Sequence, residues 1–157
     1  MLKSLRLRYL FVAIFIIVLD QLTKILSIHY LSEISSFPVF PGFSLSLSYN
    51  KGAAFGFLND ADGWQRWFFV GLAILVSVII YLWLGKLSKN EKQEGFALSL
   101  ILGGALGNLI DRFIYGHVID FLLFYYKEWQ FPNFNVADSA ITIGVVLMIP
   151  VLFKKNH

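Results

Sequence analysis

The chain has 157 residues, 57% of them hydrophobic and only 15% charged, with a mean hydropathy of +0.68 and a formal net charge of +3. A soluble domain carries about 25% charged residues and could not hide this much apolar surface in one core, so the composition describes an integral membrane protein. The lack of cysteine excludes disulfides and thiolate chemistry, three scattered histidines form no helical metal-ligand pair, and no basic stripe supports nucleic-acid binding.

Crossing the hydrocarbon takes roughly 20 apolar residues as a helix. The first candidate span, about 8–28, contains "YLFVAIFIIVLDQLTKIL". Its basic N-terminal flank also suits a cleaved signal peptide, but the run continues through Asp20 and Lys24 without an Ala-x-Ala-like site, so retention as an anchor is expected. In the segment that follows, Phe43, Leu45, Leu47 and Tyr49 alternate with Ser44, Ser46 and Ser48, and Pro38, Pro41 and Gly42 punctuate the start. That is strand periodicity, and a small sheet here would suit an extended peptide adding a strand; a loop packed over the helix ends explains the alternation equally well.

Three further spans follow: 67–84 ("WFFVGLAILVSVIIYLWL"), 95–114 ("GFALSLILGGALGNLIDRFI") and 136–153 ("VADSAITIGVVLMIPVLF"). A short polar turn, Ser88 to Glu94, separates the second and third. The expected fold is an all-α membrane protein of four transmembrane helices with a small extracytoplasmic β element between the first two, the whole of 1–157 forming one domain. Lys3, Arg6, Arg8, Lys86, Lys89, Lys92, Lys154 and Lys155 lie on one side, against Lys51, Arg66 and Lys127 on the other. The positive-inside rule therefore predicts cytoplasmic termini and a cytoplasmic 2–3 loop, with Trp64, Trp67, Tyr125, Tyr126 and Trp129 in an outer aromatic belt.

Ionisable residues inside spans are rare and are read as functional until a partner accounts for them. Asp20 and Lys24, four apart, read as a structural ion pair. Gly104, Asn108 and Asp111 share one helical face, and Gly103 and Gly107 form a GxxxG; helix–helix glue accounts for Asn108, Asp111 and Arg112. Asp138 opens the fourth span and could be an N-terminal cap. Asp120, in "HVIDFLLF", has no such role and is expected at the outer end of the third span. Two carboxylates brought together cannot both ionise easily, and a pair sharing a proton can activate water with one member and protonate a substrate oxygen with the other. A structural carboxylate network remains the alternative.

The blocks "GNLIDRFIYGHVIDF" and "FPNFNVADSAITIG", with "DQLTK" and "YNKGAAFGFL" before them and the four-span layout, closely resemble the signatures of the lipoprotein signal peptidase (signal peptidase II) family over nearly the whole chain. The resemblance implies an intramembrane aspartic endopeptidase of the bacterial cytoplasmic membrane. It would act on diacylglyceryl-modified prolipoproteins, cutting just before the modified cysteine, in contact with membrane lipid and with no metal or organic cofactor; the chain itself is expected to be a monomer. By motif position Asp120 and Asp138 would be the catalytic dyad, and Asp20, Asn50, Gly52, Asn108, Asp111, Arg112, Asn135 and Ala137 would shape or support the site. It also implies an outer β-cradle and a short outer helix within the 1–2 segment. The rival classes are a small proton-coupled transporter, which predicts polar groups near the bilayer midplane and a repeated half, and an assembly subunit, which leaves the outer carboxylates unexplained.

Overall fold

The structure is a computed structural model that describes residues 2–52 and 63–154, with side chains from 6 to 52 and from 63 to 153. Among the described residues four helices are long and apolar enough to cross a membrane: α1 (Leu2–Leu31), α2 (Trp64–Leu84), α3 (Lys92–Ile114) and α4 (Val136–Lys154). A helix of this length, at about 1.5 Å per residue, matches the roughly 30 Å hydrocarbon core, and it satisfies its own backbone where no water can. The stretch "AAFGFL" and the expected short outer helix lie outside the described residues.

The third helix is central. Of its span 56% is buried, against 22% of each of the others, because it packs on α1, α2 and α4 together. Glycine makes these approaches possible. A Cβ at Gly103 would come within 2.8 Å of the Ala13 carbonyl oxygen of α1, and one at Gly144 within 2.7 Å of the Ala97 carbonyl oxygen of α3. Gly104 lies directly against the Ala137 carbonyl of α4. Small residues at such crossings let backbones meet where lipid supplies no hydrophobic drive. The apolar core, including Tyr9, Ile80, Leu84, Leu98, Leu102 and Met148, fills the end of the bundle away from the sheet.

At the other end lies one antiparallel sheet of order β1-β2-β3-β4, built from β1 (Phe37–Phe40), β2 (Phe43–Asn50), β3 (Val118–Tyr126) and β4 (Trp129–Gln130). The serine-alternating segment is thus a strand rather than a loop. Gly42, at φ 93°, turns β1 into β2 in a conformation that favours glycine. Pro38 sits in the edge strand, where a missing N–H is tolerated.

Two sequence expectations change here. The β element is not confined to the segment between the first two helices, since half its strands come from the segment between α3 and α4. Asp120 does not end a helix: α3 stops at Ile114, and the chain is already extended at Val118. The stop is local, with Gly116 left-handed at φ 80° and its N–H on the Arg112 carbonyl. Arg66 of α2 then donates to the Arg112 and Phe113 carbonyls at 2.8 and 2.7 Å, satisfying the orphaned acceptors of α3 with a cation at its negative end.

Candidate active site

The N-terminus of α4 organises the site. Asn135 precedes the helix; its Oδ1 accepts from the Asp138 N–H at 2.8 Å while its own N–H donates to Asp138 Oδ2 at 3.2 Å. This is the reciprocal arrangement of a capping box, with an aspartate in the place of the usual glutamate. The Ala137 N–H, a further orphan donor of the first turn, goes to Asp20 Oδ1 of α1 at 2.9 Å. Ala137 is fully buried, wedged between Asp20 and α3 at Gly104 and Gly107. Asp138 is therefore a cap with one oxygen only. Its Oδ1 accepts from Asn108 Nδ2 of α3 at 2.7 Å and faces the cavity described below.

Behind this layer is a buried charge cluster. Lys24 Nζ lies 2.8 Å from Asp20 Oδ2 and 2.8 Å from Asp111 Oδ2, and donates to Asn108 Oδ1 at 3.0 Å. Asp111 also accepts from Gln21 Nε2 at 2.8 Å and from the Ile119 N–H at 3.0 Å. The ion pair expected between positions 20 and 24 exists, but it belongs to a triad that ties α1 to α3.

Asp120 arrives from the sheet. The peptide before it is held at both ends, Ile119 N–H by Asp111 and Ile119 carbonyl by Asn135 Nδ2 at 3.2 Å. Alternation along β3 then points Val118, Asp120 and Phe124 into the cavity. Asn135 Nδ2 donates to Asp120 Oδ1 at 2.7 Å, and Asn50 Nδ2 of β2 donates to Oδ2 at 3.3 Å. Burial, and then the Asp138 carboxylate, push the Asp120 carboxyl up to about 7, against the two amide donors that favour its charged form. Asn50 uses its Oδ1 to hold the Gly52 N–H at 3.0 Å, and Arg112 Nη2 reaches the Gly52 carbonyl at 3.0 Å.

Asp120 and Asp138 line a common cavity of about 890 Å³ between the sheet and α4. Ser48, Asn50, Asn108 and Arg112 supply its polar wall; Phe124, Trp129, Phe131, Ile141 and Ile143 supply the apolar one. Ile143 is half exposed on the lipid-facing side of α4, so the cavity is continuous with the membrane-facing surface.

All ten residues singled out from the sequence fall in one connected hydrogen-bond network, through Lys24, Asn108, Asn135 and Gly52. Sequence reasoning missed Gln21, which bridges Asp20, Asp111 and the Gly107 carbonyl, and it placed Lys24 in a purely structural pair. It also missed Asn133, which lines the cavity and donates to the Ser46 carbonyl at 2.5 Å, where the pairing of β2 with β3 is interrupted. For Gln21 the available signal was a polar residue inside an apolar run, beside Asp20.

The profile of the family described as Signal peptidase (SPase) II matches residues 12–154. The chain belongs to the signal peptidase II family. It is 49% identical over 153 residues to the lipoprotein signal peptidase of Pseudomonas aeruginosa strain UCBPP-PA14, covering 96% of this chain and 90% of that one. It is 54% identical over 137 residues to the lipoprotein signal peptidase of Cupriavidus pinatubonensis strain JMP 134 / LMG 1197, covering 87% and 77%. In three dimensions it is similar to a bacterial membrane enzyme solved by the in meso method at 2.3 Å resolution, with a TM-score of 0.82, 34% identity, and 95% and 89% of the two chains covered. A second such structure, at 1.9 Å, gives a TM-score of 0.79 at 35% identity, with 94% and 93% covered. This member of the signal peptidase II family is thus a multi-pass membrane peptidase.

Proposed function

We propose that the chain removes signal peptides from diacylglyceryl-modified bacterial prolipoproteins, cutting before the lipidated cysteine, with Asp120 and Asp138 as an aspartic dyad. The observation that carries this reading is the buried Asn135, whose side chain donates to Asp120 while its backbone N–H donates to Asp138, the two carboxylates lining one cavity. Asp120 in its protonated form gives its proton to the scissile carbonyl oxygen as Asp138 takes a proton from the attacking water, leaving a neutral tetrahedral intermediate. As the tetrahedral intermediate collapses, the roles reverse: Asp138 protonates the leaving amine and Asp120 recovers a proton from the new carboxyl group. Asn108 and Asn135 keep both carboxylates aimed at the same water.

Substrate binding follows from the two walls. The peptide lies along Ser48–Asn50, where the β1-side edge of β2 carries no strand among the described residues. The acyl chains lie toward Ile141 and Ile143 and remain partly in lipid. The chain sits in the cytoplasmic membrane as a monomer, with both termini cytoplasmic and the dyad near the outer face, where an exported precursor presents its cleavage site. Purified protein given matched precursors with and without the diacylglyceryl group tests this reading. The expected result is cleavage of the lipidated form alone, with product mass locating the cut before the modified cysteine; equal cleavage of the unmodified form rejects it.

A further inference from the structure

We infer that Lys24, which touches neither carboxylate, is a positioning residue for the dyad: by occupying Asn108 Oδ1 it dictates which way the Asn108 amide faces, and so delivers an N–H donor to Asp138. The inference rests on the aspartic reading above.

An ammonium has three protons and no acceptor. Buried at 1% exposure, Lys24 spends them on Asp20, Asp111 and the Asn108 side-chain oxygen. An ion pair with Asp20 and Asp111 leaves the third proton unassigned, and its use is informative. Were Asn108 turned over, its NH2 would face the buried ammonium, donor against donor. A buried donor without a partner is costly enough to hold one orientation roughly fivefold or more over the other. Nδ2 of Asn108 therefore points at Asp138 Oδ1, 2.7 Å away.

Asn108 Oδ1 also faces Asn135 Nδ2 at 3.1 Å, in keeping with the orientation that the Asp138 N–H, the Ile119 carbonyl and Asp120 impose on Asn135. One charge thus sets the polarity of the amide that serves Asp138. The charged and titratable groups around the dyad are Asp20 and Lys24 from α1, Asp111 and Arg112 from α3, and His117 and Lys51 beside the sheet. With Lys24 gone, Asn108 is free to turn its oxygen to Asp138, where it accepts from a protonated carboxyl instead of supporting an ionised one. The base would then lose the donor that supports its ionised form.

The test uses full-length protein in micelles, a diacylglyceryl-modified precursor, and rates expressed per folded molecule across pH. Lys24→Met and Asn108→Ala are each expected to displace the acidic limb of the pH–rate profile from its wild-type position, both in the same direction. The kcat should fall ~10- to 100-fold with KM little changed. Because Lys24 acts through Asn108, the double variant should have the profile of Asn108→Ala alone. If Lys24→Met does not accumulate, the triple variant Asp20→Asn, Lys24→Met, Asp111→Asn replaces it, since it orphans no buried charge. A profile that overlays wild type, or a double variant whose shift is the sum of the single shifts, overturns the inference. If Asp120→Asn and Asp138→Asn are inactive while the Lys24 variants keep the wild-type profile, the inference fails alone; if the aspartate variants are active, the dyad reading fails and takes the inference with it.

Discussion

Asn135 and Asp138 cap one another: the Asp138 N–H reaches Asn135 Oδ1 at 2.8 Å, and the Asn135 N–H reaches Asp138 Oδ2 at 3.2 Å. The same two side chains use their remaining atoms on residues that line the cavity, Asn135 Nδ2 on Asp120 and Asp138 Oδ1 on Asn108. Helix initiation and carboxylate alignment are thereby one structure. The buried charges of α1 and α3 stand behind it and fix where α4 begins.

The two roles of Asn135 can be separated. Serine also caps helices, so Asn135→Ser should leave thermal stability in detergent nearly unchanged. It lacks the amide that holds Asp120, so cleavage should fall ~100-fold. Equal retention of stability and activity would show that capping is all Asn135 does.

The pH dependence has a defined sign. Asp120, raised to about 7 by burial and then by Asp138, is protonated below that pH and loses its proton above it. As the acid of the proposed mechanism it should make kcat/KM fall as pH rises through about 7, approaching about tenfold per unit beyond. The Asn50 donor favours the charged form, so Asn50→Ala should move this alkaline limb to still higher pH. Rates from about pH 5 to about pH 9 decide the matter, and a limb displaced to lower pH in Asn50→Ala would contradict it.

Close packing at α3 makes a steric prediction. A methyl at Gly107 would sit 2.7 Å from Asp20 Oδ2, which cannot move without releasing Lys24 and the Ala137 N–H. Gly107→Ala should cost about 1–3 kcal/mol and reduce activity. A Cβ at Gly71 of α2 meets nothing within 4 Å, so Gly71→Ala should be neutral or stabilising by up to ~1 kcal/mol. Thermal unfolding in detergent compares the two directly.

The charge bias makes a topological one. The natural chain has no cysteine, so single cysteines can be introduced at exposed positions and labelled selectively. A cysteine at Lys127, in the turn between β3 and β4, should react with a membrane-impermeant maleimide in intact cells, whereas one at Lys89 should react only after permeabilisation. The reverse pattern would put the sheet and its cavity on the wrong side for an exported substrate.

Local signals in the sequence reached the spans, the strand character of Phe43–Tyr49 and the polar residues that the structure joins in one network. Apolar run length, period-two alternation and isolated charges in apolar surroundings are each read within a window of a few residues. What they could not carry was pairing at a distance. "HVIDFLLF" is apolar on both faces, so nothing in it separates a helix end from a strand, and only its partner β2, some seventy residues earlier, decides in favour of the strand. Likewise the i, i+4 spacing of Asp20 and Lys24 reveals their ion pair but not Asp111 or Asn108, which reach the ammonium from another helix. Asp138 reads as either a helix cap or a cavity carboxylate because it is both, one oxygen for each.

The most direct test of the account is the cleavage rate of a diacylglyceryl-modified precursor by Asp120→Asn, Asp138→Asn and the double variant, each measured at matched amounts of folded membrane protein. Asparagine keeps the size and hydrogen-bonding capacity of each carboxylate but cannot exchange its proton. Two carboxylates that act on one water should be non-additive, so either single change abolishes most cleavage and the double variant is little worse. A well-folded single variant that cleaves at near wild-type rate would contradict the two-aspartate mechanism and leave Asp138 as the cap of α4.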